Sequence, residues 1–369
     1  MKLRTEKLGM VEGRPSSHSR DRSTDAEELM AAIAASPSTP FPHRHLVGIH
    51  ALSADEINLI LDTAEGYRTH IESGARRLGT LDGSTVVNLF FENSTRTRMS
   101  FEMASQHLGA YVVNFDVSTS SISKGESLHD TIETIEAAGA NVIIIRHASA
   151  GTAKFVAEFA KSSIINAGDG WHAHPTQALL DAFTIRRALG RIEGLRVTIV
   201  GDVLHSRVAR SNIACLKALG AEVTLCGPTM FVPDDFEKLG VRVSHTLQDG
   251  ITGAEVVYLL RIQMERQQAR RFPSLGEYRR LYGIDERTLR WAGEDALVMH
   301  PGPVNRGIEI SDSVFARERT VIIDQVAHGV PIRMAVLKLL KSAEEGVGAA
   351  ELHESPIAGP KDETEVARG

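Results

Sequence analysis

Only two cysteines occur in the 369 residues. Cys215 and Cys226 fit neither a CxxC pair nor a Cys/His ligand spacing, which argues against a disulfide scaffold and a structural zinc site. Two buried thiols in a reducing compartment are expected. No apolar run reaches the ~18 residues that span a bilayer, and no hydrophobic secretory segment stands near Met1. The Arg- and Ser-rich opening is interrupted by Glu6, Glu12, Asp21 and Asp25, unlike an acid-poor organelle transit peptide. A soluble cytoplasmic protein is expected, with no membrane partner. Positive charge is not in excess either: 41 Lys+Arg against 47 Asp+Glu leave a net −6. Without a basic field there is no case for a nucleic-acid partner, and any anion must be held by a local site.

Familiar catalytic signatures are also missing. GLRVTIVGDVLHSR has strand, turn and helix in the order of a dinucleotide fold, yet only Gly201 stands where G-x-G-x-x-G needs three glycines. A nicotinamide cofactor is disfavoured, and no other cofactor is implied. There is no G-x-S-x-G elbow and no catalytic-cysteine signature, so a covalent acyl-enzyme is not expected. His172 and His174 could be read as a metal pair, but no Cys or Glu stands at ligand spacing and Pro175 opens a helix at once; no metal is expected.

What is present is an ordinary globular balance, 42% hydrophobic and 24% charged, in a chain long enough for roughly two domains. Strand patterns read at 86–91, 141–145, 163–166, 196–200, 222–226, 255–260, 296–299 and 320–324, with helical patterns between most of them. Strands apolar on both faces, alternating with helices, predict an α/β fold of two domains. Each is a mostly parallel sheet flanked by helices, joined by interdomain helices. The expected division is a flexible tail at 1–42, a first domain at 43–187, a second at 188–326, a last helix at 327–343 packing back on the first domain, and a flexible tail at 344–369. Gly190 is a natural end for the helix TQALLDAFTIRRAL.

In open parallel sheets ligands bind beyond the carboxyl ends of the strands. Here those exits carry Glu92 to Arg98, Arg146-His147, Asn166 to Gly170, Gly201-Asp202, Arg261-Ile262-Gln263 and His300-Pro301-Gly302-Pro303. So many Arg, His, Thr and Gly residues favour an anionic ligand. Ser94 can cap a helix whose first turn holds Thr95, Arg96 and Thr97, where free N–H groups, hydroxyls and a guanidinium fork suit a phosphate. Taken alone, STRTR is equally an N-capped helix with solvated arginines. Arg207 and Arg210 match a carboxylate-bearing substrate or are exposed helix cations. His174 can hold a carbonyl oxygen, and Gln177, three residues on, the amide end of the same ligand. The loop 116–130 reads as a lid that carries Lys124 to an anion, or as a solvated surface loop. Fixed positive donors without a nucleophile suit the positioning of two small anions while one attacks the other.

Ser94-Thr95-Arg96-Thr97-Arg98, Lys124-Gly125-Glu126, Arg146-His147, His174-Pro175-Thr176-Gln177, Arg207, Arg261-Ile262-Gln263 and His300-Pro301-Gly302-Pro303 follow in this order over roughly 43–343. The set closely resembles the catalytic chains of aspartate carbamoyltransferases. STRTR and HPTQ mark carbamoyltransferases generally. An ornithine enzyme would be expected to show an Asn pair, a Ser-Met-Gly loop and a His-Cys-Leu-Pro motif where this chain has Arg207, RIQMERQ (261–267) and His300 to Pro303. Arginines facing the second substrate suit a dicarboxylate and repel an ammonium.

The resemblance implies that carbamoyl phosphate lies on Ser94 to Thr97 with Arg96, that Thr97, Arg146 and His174 surround its carbonyl oxygen, and that Gln177 and the backbone at Gly302-Pro303 hold its amide. It implies that Lys124, Arg207, Arg261 and Gln263 bind aspartate, whose amine attacks directly. Arg96, Thr97, Arg146 and His174 are the implied catalytic residues. It further implies a homotrimer in which Ser120 and Lys124 reach the neighbour's site, and either tail could serve a regulatory or dihydroorotase-like chain. The chain departs from many relatives at Ser123, where a second lysine is common, and at Gly302, where others have leucine.

Overall fold

The computed structural model describes residues 41–74, 77–115, 125–262, 274–293 and 295–353, with side chains to Ala343. The first half runs α1 (Ala54–Glu72), β1 (Thr85–Phe90), α2 (Thr95–His107), β2 (Tyr111–Phe115), α3 (Leu128–Ala137), β3 (Val142–His147), α4 (Thr152–Ala157), β4 (Ser163–Asp169) and α5 (Pro175–Leu189). The second runs β5 (Arg196–Val200), α6 (Arg207–Ala218), β6 (Glu222–Cys226), β7 (Arg242–Ser244), α7 (Leu247–Ile251), β8 (Val256–Leu259), α8 (Leu275–Tyr282), α9 (Glu286–Leu289), β9 (Leu297–Met299), α10 (Asp312–Phe315) and α11 (Ile322–His353). Two sheets result, ordered β2-β1-β3-β4 and β7-β6-β5-β8-β9, and every pairing in them is parallel.

Period-two burial explains the layers of the first sheet. Val86, Val142, Ile144 and Ile165 join a core shared with residues of α1, α2, α5 and α11, whereas Val87, Leu89, Ile143, Ile145 and Ile164 join a second core with residues of α3 and α4. Successive side chains point to opposite faces, so a strand covered on both sides must be apolar throughout. The first core continues without a break into the second sheet. Helix α5 packs on α6, and α11 packs on α1, α2 and α5. These two helices join the halves, as the expected α/β architecture requires. Gly190 ends α5 with φ 76°, a left-handed turn that costs glycine little.

Four expectations need correction. The β-branched run 320–324 is not a strand: Thr320 makes one isolated bridge to Val298, and Ile322 begins α11. Buried Ile322, Gln325 and Gly329 lie three and four apart while Ile323 is exposed, so the helical period overrides the strand preference of the residues. The last helix therefore begins before 327, and it continues past 343 to His353 into the expected tail. Phe41, within the expected tail at 1–42, is buried in the core. Strands β2 and β7 carried too weak a signal: β2 is a largely exposed edge strand containing Asn114, and β7 has three residues. Among the described residues no helix is long and apolar enough to cross a membrane.

Candidate active site

The carboxyl ends of β1, β3, β4, β5, β8 and β9 face one cleft of about 810 Å³ between the sheets. Its first wall is the amino end of α2. Ser94 stands at the N-cap in an extended conformation, yet its hydroxyl makes no cap hydrogen bond. The expected cap position is present without the expected cap bond. Ser94, Thr95, Arg96 and Thr97 all line the cleft, whereas Arg98 does not. The unpaired N–H groups of a first helical turn favour an anion here.

Beyond β3, Arg146 enters the cleft and its Nη1 donates to Ala167 O at 2.9 Å. His147 turns elsewhere, its Nδ1 accepting from Ser149 N and its ring edge-on to Phe91. Arg207 opens α6 behind the Ser206 cap and is buried; its Nη2 donates to Glu92 Oε2 at 2.8 Å, and Arg146 Nε lies 3.6 Å from that oxygen. A Cβ on Gly168 would stand 2.9 Å from Arg146 Nη1 and 3.1 Å from Arg207 Cζ. With φ 117°, Gly168 is the residue that lets both guanidiniums approach.

His174 caps α5, is buried, and receives no side-chain partner at Nδ1, while its own N–H donates to Ser211 Oγ at 2.9 Å. Burial first, then the charges of Arg146, Arg207 and Arg333, hold the imidazole well below its usual range. It is a neutral hydrogen-bonding group at pH 7. His172 instead meets Asp169 at 3.1 Å, so the two histidines serve different surroundings. Gln177 lines the cleft and donates through Nε2 to buried Asp181 at 3.0 Å.

The second sheet supplies Arg261 and the turn His300 to Pro303. His300 donates its N–H to Gln325 Oε1 at 3.0 Å and accepts from Gly302 N at 2.8 Å. Burial, reinforced by Arg96 and Arg261, pushes His300 down to about 3. The Gly302-Pro303 bond is cis, and Gly302, at φ 62°, presents bare backbone to Arg96, whose Cζ would lie 3.0 Å from a Cβ there. Glycine at this position thus has a steric role beyond replacing leucine.

Ser94 to Thr97, Arg146, His174, Gln177, Arg207, Arg261, Gly302 and Pro303 are therefore brought together. Arg210 is not: it donates to Leu204 O and lies over Phe236. Ser120, Lys124 and Gln263 lie outside the described residues. Sequence reasoning missed Arg306 and Arg333, which also line the cleft. Arg333 is buried on α11 with its guanidinium 4.8 Å over Phe101; nothing in a helical pattern marks a lone inward arginine. Among the described lining residues there is no Asp, Glu, Lys or Cys, against six arginines. Such a cleft concentrates positive potential and suits an anion pair.

Two family models match the chain. That of the aspartate/ornithine carbamoyltransferase carbamoyl-P binding domain covers residues 44–187, and that of the Asp/Orn binding domain covers 193–340. The chain belongs to the aspartate/ornithine carbamoyltransferase family. This carbamoyltransferase is 50% identical over 305 residues to the aspartate carbamoyltransferase catalytic subunit of Syntrophotalea carbinolica, covering 83% of this chain and 97% of that one. It is 51% identical over 312 residues to the subunit of the same name from Beijerinckia indica, covering 85% and 98%. Among solved structures, aspartate transcarbamoylase from Trypanosoma cruzi in complex with N-(phosphonacetyl)-L-aspartic acid is similar with a TM-score of 0.74, 33% identity and coverage of 80% and 95%. Ornithine carbamoyltransferase from Pyrococcus furiosus gives a TM-score of 0.73 at 28% identity, covering 82% and 98%. The backbone alone thus does not choose the acceptor.

Proposed function

We propose that this chain transfers the carbamoyl group of carbamoyl phosphate to the α-amine of L-aspartate, releasing N-carbamoyl-L-aspartate and phosphate, an early step of de novo pyrimidine biosynthesis. The observation that carries the reading is the cleft itself: a helix N-terminus and arginines from both sheets converge on a space with no carboxylate, lysine or thiol among its described lining residues. Such a site favours two anions over ornithine's ammonium. Identity near 50% to chains named for aspartate supports the same acceptor.

The phosphate rests on Ser94 to Thr97 and the fork of Arg96. Residues 43–187 carry this half of the site, and 188–326 carry the aspartate half with Arg207, Arg261 and Gln263 on the carboxylates, joined there by Lys124. The amine attacks the carbonyl carbon, and charge develops on the former carbonyl oxygen beside Thr97, Arg146 and neutral His174. Each preorganised donor there contributes about 3 kcal/mol of transition-state stabilisation. Gln177 and the backbone of Gly302-Pro303 hold the carbamoyl amide. As the C–O bond to phosphate breaks, the departing phosphate takes the amine's proton, so no separate base is needed.

The assembly is a cytoplasmic homotrimer, with Ser120 and Lys124 completing a neighbour's site. Exposed Met99 and Met103 on α2 and Tyr111 and Val113 on edge strand β2 support a partner on this face. The reaction is tested by offering carbamoyl phosphate with L-aspartate or L-ornithine to the purified protein. Carbamoyl-aspartate is expected, and Arg96→Ala abolishes it; a product from ornithine alone would overturn the acceptor.

A further inference from the structure

Asp181 lies one turn beyond Gln177 on α5, with no exposed surface. Its carboxylate accepts four hydrogen bonds from neutral groups on four elements. Gln177 Nε2 at 3.0 Å and Gln325 Nε2 at 2.7 Å meet Oδ1; Asn212 Nδ2 at 2.9 Å and Tyr258 Oη at 2.7 Å meet Oδ2. A carboxylate only accepts, and four donors fill its lone pairs. Burial raises Asp181 to about 6, which leaves it ionised at pH 7.

This arrangement decides which way Gln177 faces. An amide has one donating end and one accepting end, and only the NH₂ end can meet Asp181 without setting two acceptors together. Oε1 is thereby left for the cleft that Gln177 lines. Gln325 is oriented by the same logic: its Nε2 goes to Asp181, and its Oε1 accepts from His300 N at 3.0 Å. One buried carboxylate thus sets both a side chain and a turn that line the cleft from opposite halves.

We propose that Asp181 is a specificity-determining positioning residue: by turning the Gln177 oxygen into the cleft, it makes the site select an acyl phosphate with N–H on its carbonyl carbon over the isosteric methyl of acetyl phosphate. The proposal rests on the reading of Gln177 as partner of the carbamoyl amide.

The test compares kcat/KM for carbamoyl phosphate and acetyl phosphate with aspartate as acceptor. The wild-type protein is expected to prefer carbamoyl phosphate by about tenfold or more, the worth of one hydrogen bond that the methyl cannot make. Gln177→Glu sets a second carboxylate against Asp181 and should lose at least about tenfold in kcat/KM with carbamoyl phosphate. Asp181→Leu, of similar shape, removes the acceptor that holds Gln177 Nε2 and, if folded by thermal melting, should bring the ratio of the two acyl phosphates towards one. A purely structural role would lower turnover of both acyl phosphates alike and leave their ratio unchanged. If Gln177→Glu does not fold by thermal melting, Gln177→Met carries the test and must bring the ratio towards one. An unchanged ratio in folded Asp181→Leu, or in Gln177→Met, overturns the proposal. Absence of carbamoyl transfer by the wild-type protein would instead overturn the reaction itself, and this proposal with it.

Discussion

Glu92 Oε2 lies 2.8 Å from Arg207 Nη2, a carboxylate from the loop after β1 meeting the first residue of α6. The same oxygen stands 3.6 Å from Arg146 Nε, so one acid that follows β1 links guanidiniums of both halves. Glu92→Ala takes an anion from two largely buried arginines. The expected cost is about 3 kcal/mol of unfolding free energy, read from urea denaturation, with part regained on adding inorganic phosphate. An unmoved midpoint would show that Glu92 does not hold the halves together.

Arg96 offers a planar fork at the α2 turn, which an ammonium cannot copy. Arg96→Ala should lower kcat/KM by about 10²- to 10³-fold, and Arg96→Lys should recover no more than about tenfold of that. Steady-state kinetics at matched thermal stability check both; full rescue by lysine would reduce the role of Arg96 to charge alone.

Acid should destabilise the fold. Burial holds His174 well below 6.5 and pushes His300 to about 3 and His328 to about 4. Between those values and 6.5 the unfolded chain binds protons that the folded chain refuses, so stability is lost as pH falls. Each group adds a slope of up to about 1.4 kcal/mol per pH unit. Asp181, raised from 3.8 to about 6, works in the opposite sense over that interval and offsets one of the three. Urea midpoints followed from neutral to about pH 5 should therefore decline, and less steeply for His300→Asn. A flat profile would contradict the burial of these imidazoles.

The exposed face of β2 and α2 should carry the subunit contact. Val113→Asp is expected to convert the sedimentation pattern from trimer to monomer and to remove activity with it, because a charge on an apolar edge opposes pairing. A trimer that persists with full activity would place the contact elsewhere.

Much of this was legible in the chain before folding. The strand runs and helix caps rest on local periodicity and on single residues such as Gly190 and Pro175, and local rules act within a few neighbours. The residues at the strand exits followed from a general property of parallel sheets, which is why Ser94 to Thr97, Arg146, His174, Arg207 and His300 to Pro303 could be named together. Residues 320–324 misled because β-branched side chains favour strands only where a sheet face receives them, and the fold offered a helix surface instead.

Tertiary structure alone decided which of these side chains face one another. Arg207 and Arg210 are equivalent as sequence, yet one lines the cleft and meets Glu92 and the other lies over Phe236. Arg333 enters the site from the far end of the chain, and Asp181 gathers donors from α5, α6, β8 and α11. Spacing along a chain sets which face of an element a residue occupies. What that face meets is fixed only when distant elements pack, and there burial and orientation turn ordinary polar residues into a site.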